Sequence, residues 1–242
     1  MSNSSLVDFT RLSPNHSGKR THKIDTITIH CMAGNLSVES CGAMFAKPSA
    51  MASSNYGIDS AGNIGLYVDE ANRSWCSSNR ENDQRAVTIE VANCGGAPDW
   101  PVTERAFSVL VALVADICRR NNIKELKWRG DKSLIGQVDK QNMTVHRWFA
   151  NKACPGNYLY NRMGEIADRV NEALGVKKLT PKVPYTVRVS AALEIRAGAG
   201  VKYARQKQTA PPGVYTIVEE KDGWGRLKSG AGWIELAKVK KI

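Results

Sequence analysis

The chain has no long hydrophobic run, and this absence excludes one class of protein. None of the apolar stretches in its 242 residues approaches the roughly 18 residues of a membrane-spanning helix. Residues 1–20 also lack the basic-then-apolar order of a secretory signal, so we expect a protein made in the cytoplasm without a signal peptide. The chain is 42% hydrophobic and 24% charged, which is the composition of a globular protein rather than a disordered or fibrous one.

Acidic residues are scarce in the last quarter of the chain. The formal net charge is +11, yet residues 1–175 carry 20 basic and 18 acidic side chains, whereas residues 185–242 carry 11 and 5. A basic module beside a near-neutral one suggests a polyanionic partner, such as nucleic acid, anionic lipid or the bacterial cell wall. General solubility is the alternative interpretation of the same charge. No RNP, KH or basic-helix motif is present, which disfavours nucleic acid.

The six cysteines are not expected to form a disulfide framework. A chain of this length can bury a core without covalent cross-links. Cys31 ends a strand-like run and Cys118 lies in an apolar helical stretch, and both positions suit buried, reduced thiols.

A linker divides the chain into two regions whose secondary-structure signals differ. Gly175 can end a helix, and two prolines within residues 176–184 keep the following segment extended. We therefore expect one domain over residues 1–175 and a second over residues 185–242.

The first region alternates strand and helix signals. Strand-like runs cover residues 24–29, 64–68 and 86–91, and they should share one sheet. Apolar residues at helical spacing follow a possible cap at Thr103 and recur between Leu159 and Leu174, and a shorter helix is expected over residues 37–45 with Cys41, Met44 and Phe45 inward. A sheet with flanking helices makes this an α/β domain.

The second region shows short strands and tight turns. Fewer than 60 residues with about five strands suggest a small all-β barrel. The expected strands are 185–189, 193–196, 213–218, 223–227 and 232–236.

Two of the four histidines and one cysteine form a candidate metal site. His30 ends the first strand, and His146 precedes Cys154 by eight residues. Two imidazoles and one thiolate suit zinc and leave its fourth position for water, as in catalytic sites. The spacing alone leaves open a buried histidine and an inert thiol.

Four segments occur in the order of a known family. They are Thr28-Ile29-His30-Cys31, Ser54-Asn55-Tyr56-Gly57-Ile58, Val87-Thr88-Ile89-Glu90 and residues 146–156, which end in Cys154-Pro155-Gly156. Together they resemble the type-2 N-acetylmuramoyl-L-alanine amidases, over residues 20–172. The resemblance implies a mixed sheet flanked by helices and a hydrolase that cuts the amide between N-acetylmuramic acid and L-alanine in peptidoglycan.

The resemblance also implies roles for individual residues. It places Zn²⁺ on His30, His146 and Cys154, and it makes Tyr56, Glu90 and Lys152 candidate catalytic residues. Glu90 would move the proton of the attacking water, and Lys152, with the Tyr56 hydroxyl, would stabilise the oxyanion. One departure stands out, because many members have Trp-His where this chain has Trp75-Cys76.

The second region resembles bacterial SH3 domains, which commonly attach lytic enzymes to the cell wall. Residues 193–200 and the segments around Trp224 and Trp233 carry this resemblance. Peptidoglycan is then the expected partner, with no protein partner needed for catalysis. A cytosolic product that attacks the wall fits a phage endolysin, a bacteriolytic enzyme released through a membrane pore made by another protein.

Three other functions remain open at this point. Some members of the resembled family bind peptidoglycan without cutting it, although they typically lose the cysteine ligand. A cysteine peptidase using Cys31 or Cys154 with a histidine is the second, and chelator sensitivity would separate it from a zinc enzyme. A nucleic-acid module, suggested by charge alone, is the third.

The linker and the charge distribution generate a first prediction. A fragment of residues 1–175 should fold and cleave soluble muropeptide but attach poorly to intact cells, whereas residues 185–242 should sediment with cell walls without cutting them. Binding through the net charge would fall steeply above about 0.15 M salt, while a shaped peptide pocket would keep its affinity. These separate roles of the two regions are wrong if removal of the C-terminal region leaves whole-cell lysis unchanged.

Overall fold

The computed structural model describes residues 2–176, 183–221 and 223–242, and it divides into two compact units. The first unit spans residues 1–177 and the second spans residues 178–242. Most of the expected linker, residues 177–182, lies outside the described residues. Within the described ranges, no helix combines the length and the apolar character that a membrane crossing requires.

The first unit is built on a mixed six-stranded sheet with helices, which confirms the predicted α/β class. Its strands run in the order β1-β5-β4-β7-β3-β8, and all neighbours are parallel except β5 and β4. A separate two-stranded sheet pairs β2 with β6. The strands are β1 Phe9–Thr10, β2 His16–Lys19, β3 Thr26–Cys31, β4 Tyr56–Ile58, β5 Ile64–Leu66, β6 Asn72–Ser74, β7 Ala86–Val91 and β8 Met143–Val145.

The two longest strands of this sheet, β3 and β7, are largely buried on both faces. Their β-branched residues suit a strand that is covered on each side. Ile29 pairs with Ile89 on one face, and this face packs into the main hydrophobic core. His30 pairs with Glu90, and because side chains alternate, this pair lies on the other face.

Local signals in the sequence set the ends of the helices. The four helices are α1 Val38–Phe45, α2 Arg80–Arg85, α3 Glu104–Arg120 and α4 Gly156–Ala173. The hydroxyl of Thr103 accepts the Ala106 N–H at 3.1 Å and so begins α3 as predicted. Gly175, at a φ of 73°, ends α4, and its N–H donates to the Glu172 carbonyl at 3.0 Å.

The prediction for α1 needs one correction. Cys41 and Phe45 are buried as expected, but Met44 is 42% exposed. The buried face of this eight-residue helix is formed by Val38, Cys41, Gly42 and Phe45. Met44, which is turned about 100° from Phe45, lies at the edge of that face and reaches solvent.

The second unit is a seven-stranded sheet in which every pair is antiparallel. Its order is β11-β10-β14-β13-β12-β9-β15. The five predicted strands are present, and two more appear at the edges of the order. The strands are β9 Tyr185–Val189, β10 Leu193–Arg196, β11 Arg205–Ala210, β12 Gly213–Lys221, β13 Trp224–Leu227, β14 Trp233–Glu235 and β15 Lys240–Lys241.

Candidate metal centre

Three side chains with metal-binding atoms meet at the carboxyl edge of the main sheet. His30 lies near the end of β3, His146 directly follows β8, and Cys154 lies just before α4. Because β3 and β8 are parallel neighbours, their carboxyl ends share one edge. Cys154 Sγ is 3.5 Å from His30 Nδ1, and the two imidazole centroids are 5.1 Å apart. The ligand atoms of all three residues lie within 4.8 Å of one another.

These three residues fit zinc in chemical type, and the two histidines also fit it in protonation state. His30 is fully buried, and burial, with a smaller contribution from His146, lowers its pKa well below the usual 6.5. Burial and the charge of Lys152 also lower the pKa of His146. Both imidazoles are therefore neutral at pH 7 and can donate a lone pair. Together with the Cys154 sulfur they form a donor set that zinc accepts.

Two serines contact the Nε2 atoms of His30 and His146. Ser77 Oγ lies 3.4 Å from His30 Nε2, and Ser78 Oγ lies 3.2 Å from His146 Nε2. A partner on one ring nitrogen fixes the ring so that the other nitrogen can face a metal. Sequence reasoning misses both serines. Their position directly after the Trp75-Cys76 departure is the one signal that could have found them.

Glu90 lies beside this group, as its place on the central strand suggests. Its Oε1 is 4.0 Å from His30 Nδ1 and 3.7 Å from the Cys76 thiol. Cys76 is the residue that stands where many members of the resembled family have a histidine. Its Oε2 is buried and has no hydrogen-bond partner within the described part of the chain. Burial, followed by the nearby Cys31, raises the pKa of the Glu90 carboxyl well above its usual range. A carboxyl of this kind is suited to exchange protons near neutral pH.

Lys152 and His146 line one open cleft. The cleft has a volume of about 530 Å³. Lys152 is therefore placed where it can act on a molecule bound beside the candidate ligands. The other lining residues are Met51, Ala52, Arg73, Trp75, Cys76, Ser78, Asn79, Arg80 and Asp83.

The structure corrects the assignment of Tyr56 to the site. Tyr56 pairs with Ile89, whereas Glu90 pairs with His30, so Tyr56 lies on the face opposite the histidine. Its ring is fully buried in the main core. Its hydroxyl donates to Glu70 Oε1 at 2.5 Å rather than facing the cleft. The resemblance matched this tyrosine by position, but the sheet register makes it a core residue.

Glu70 is a buried carboxylate that the surrounding side chains satisfy. It has no exposed surface, and Arg120 donates to both of its oxygens at 2.6 and 2.9 Å. Asn121 Nδ2 adds a hydrogen bond at 3.1 Å. The Tyr56 hydroxyl is thus one member of a buried network that joins β4 to the end of α3.

All six cysteines are free thiols. Cys31 and Cys154 are adjacent, and the Cys31 N–H lies 3.4 Å from the Cys154 sulfur. The side-chain hydrogen bond with Cys31, followed by burial, raises the pKa of the Cys154 thiol well above its usual value.

Comparison with protein families gives one match. The family described as N-acetylmuramoyl-L-alanine amidase matches residues 20–157, which include His30, Glu90, His146 and Cys154. Among curated proteins, no sequence matches the chain.

Solved structures share the fold of the first unit. A mutant endolysin from Bacillus subtilis aligns with a TM-score of 0.50 at 16% identity, covering 68% of this chain and 99% of its own. An AmpD derivative aligns with a TM-score of 0.50 at 18% identity, covering 68% and 96%. The Staphylococcus aureus hydrolase AmiA, solved with its ligand, aligns with a TM-score of 0.53 at 15% identity, covering 73% and 88%. At these identities the likeness concerns the fold alone.

The position of Tyr56 gives a second prediction. Tyr56→Phe removes a hydrogen bond to a buried carboxylate, so it should lower the free energy of unfolding by about 1–2 kcal/mol. Zinc stoichiometry and affinity should not change, because the hydroxyl lies on the other face of the sheet. Urea denaturation and competition with a chromogenic chelator measure the two quantities. Weaker zinc binding without loss of stability would contradict the core position of Tyr56 and support a role in the site.

Proposed function

The chain belongs to the N-acetylmuramoyl-L-alanine amidase family, and on this premise we propose that it hydrolyses the amide between N-acetylmuramic acid and L-alanine in peptidoglycan as a zinc enzyme. The observation that carries the proposal is the convergence of His30, His146 and Cys154 within 4.8 Å, with Glu90 beside them. His30, His146 and Cys154 would hold the ion. When bound, zinc supplies Lewis-acid polarisation of the scissile carbonyl and a water whose pKa is lowered to about 7.

Glu90 is the proposed proton carrier. Its carboxylate accepts a proton from the attacking water and passes it to the nitrogen of the leaving L-alanine, so that the amine departs neutral. Burial favours this role because it raises the pKa of Glu90 and so makes its carboxylate a stronger base. The buried Oε2 has no hydrogen-bond partner in the described part of the chain, so its lone pairs are free to take the transferred proton, while Oε1 is in contact with Cys76.

Lys152 is the proposed electrostatic stabiliser. It lines the same cleft as His146, so its ammonium group can approach the carbonyl oxygen as negative charge develops on it. Its charge adds to the effect of burial in lowering the pKa of His146. No catalytic part is assigned to Tyr56.

The two closest rival functions are less well supported. A cysteine peptidase needs a thiolate nucleophile with a lowered pKa. Cys154 contacts His30 at 3.5 Å, and its hydrogen bond with Cys31 raises the pKa of the Cys154 thiol and lowers that of the Cys31 thiol. Cys31 is buried and does not line the cleft, so the thiol with the lowered pKa is not placed to attack a substrate there. A noncatalytic binder would have no use for the complete set of His30, His146 and Cys154 with a buried carboxyl beside it.

The second unit is proposed to be an SH3-like module that attaches the enzyme to the cell wall. Its all-β sheet and its excess of basic residues support this role. An endolysin of phage origin is the biological setting that we favour, because a catalytic unit joined to a basic, all-β second unit suits an enzyme that attaches to the cell wall.

The proposed ligand set gives a third prediction. The purified protein should hold about one zinc per chain, and His30→Ala, His146→Ala or Cys154→Ala should each remove both the metal and the activity. Metal content by mass spectrometry and product analysis of digested peptidoglycan provide the measurements. Full activity after exhaustive chelation would exclude a metal mechanism and favour the cysteine peptidase.

The proposed roles of Glu90 and Lys152 give a fourth prediction. Glu90→Gln and Lys152→Ala should keep zinc and the fold but lower kcat by roughly 10²-fold or more, since both act on the transition state. Lys124→Ala, which removes an exposed lysine outside the cleft, is the matched control and should be close to wild type. Steady-state kinetics on a defined muropeptide decide the point, and a near wild-type rate for either variant removes that residue from the mechanism.

A further inference from the structure

The cleft beside the candidate metal centre carries an excess of positive charge. Arg73, Arg80 and Lys152 line it, and Asp83 is its one acidic lining residue. Among the residues that the structure describes, none of the three cations forms an ion pair. A cleft with unpaired cations on its wall attracts an anionic ligand.

The carboxylate of Asp83 is already engaged by the backbone. It accepts the N–H of Cys76 at 3.2 Å and the N–H of Ser77 at 3.1 Å. These bonds hold the segment that follows β6 and so shape the wall of the cleft. Asp83 therefore offsets part of the positive charge but forms no ion pair with Arg73.

Arg73 is held in place with part of its hydrogen-bonding capacity unused. One terminal nitrogen of its guanidinium donates to Ser17 Oγ, and the indole of Trp75 donates to the same oxygen at 2.7 Å. The Arg73 Nε is buried and has no partner in the described part of the chain. The other terminal nitrogen forms no hydrogen bond with any described residue, and Arg73 lines the cleft. Arg73 is thus held in place with donor capacity left for an anion that enters the cleft.

We propose that Arg73 binds the free α-carboxylate of the second stem residue, D-isoglutamate, and so makes the enzyme selective for stem peptides that are not amidated at this position. The proposal rests on the proposed amidase function and adds to it a substrate class. The scissile amide joins the lactyl group to L-alanine, so this carboxylate lies one residue further along the stem. An extended residue spans about 3.3–3.6 Å, a length that a cleft of about 530 Å³ lined by both His146 and Arg73 can hold.

A carboxylate and a carboxamide have nearly the same shape but differ in charge, so comparing the two stems tests the effect of charge alone. The amidated stem, with D-isoglutamine, fills the same space but brings no negative charge to Arg73. A charge-assisted hydrogen bond contributes more than a neutral one, so the acidic stem gains the larger stabilisation. The selectivity is electrostatic and should weaken as salt is raised.

The test compares two muropeptides that differ only in this carboxylate, N-acetylmuramoyl-L-alanyl-D-isoglutamate and its isoglutamine form, each extended by the same third residue. We expect the full-length wild-type enzyme to cleave the acidic form with about tenfold higher kcat/KM, mainly through a lower KM. Arg73→Gln should remove the preference, and Arg73→Lys should restore part of it, because lysine keeps the charge without the planar fork. Arg105→Gln changes the net charge equally on α3 outside the cleft and should keep the full preference.

The outcomes separate this inference from the proposed function. Equal cleavage of both muropeptides by the wild type overturns the inference and leaves the amidase function standing. If neither is cleaved, the amidase function fails. Binding of the two muropeptides, followed by tryptophan fluorescence, then decides the inference by itself. Tighter binding of the acidic form that is lost in Arg73→Gln supports it, and equal affinities overturn it.

Discussion

The parallel pairing of β3 with β7 and β8 is the constraint on which the site depends. It sets His30 beside Glu90 and brings the end of β3 to the same edge as His146. A slip by one residue in either pair would turn these side chains to the opposite face. Ile29 and Ile89 oppose such a slip because they are fully buried in the core on the other side. Core packing and site geometry are therefore two results of one register.

The fold was predictable where a segment was long enough to show a period. The strands of the main sheet that start near Ile24 and at Ala86 alternate β-branched residues, and α3 repeats apolar residues behind its Thr103 cap. Strands β4 and β8 have only three residues each, too few for a period to appear. Strand β11 escaped prediction because its first five residues are polar and exposed, so no apolar alternation marks it.

The site, too, was predictable only in part. The resemblance brought His30, His146 and Cys154 together by type and order, and the structure places their ligand atoms in one group. Tyr56 shows the limit of that approach, because order along the chain does not say which face of a sheet a residue occupies. Ser77 is missed for another reason, because its only sequence signal is its place directly after Trp75-Cys76. Its contact with His30 depends on the path of a loop that is held by a hydrogen bond from the Ser77 N–H to Asp83, and the residue pattern does not show that path.

Residues 75–78 contact both the cleft and the candidate metal centre. Trp75 and Cys76 line the cleft, while Ser77 and Ser78 contact the two histidines. Asp83 holds the segment in place by accepting the Ser77 N–H. A substitution within this segment would therefore change the shape of the cleft and the support of the two imidazoles together, so its effects on the two could not be separated.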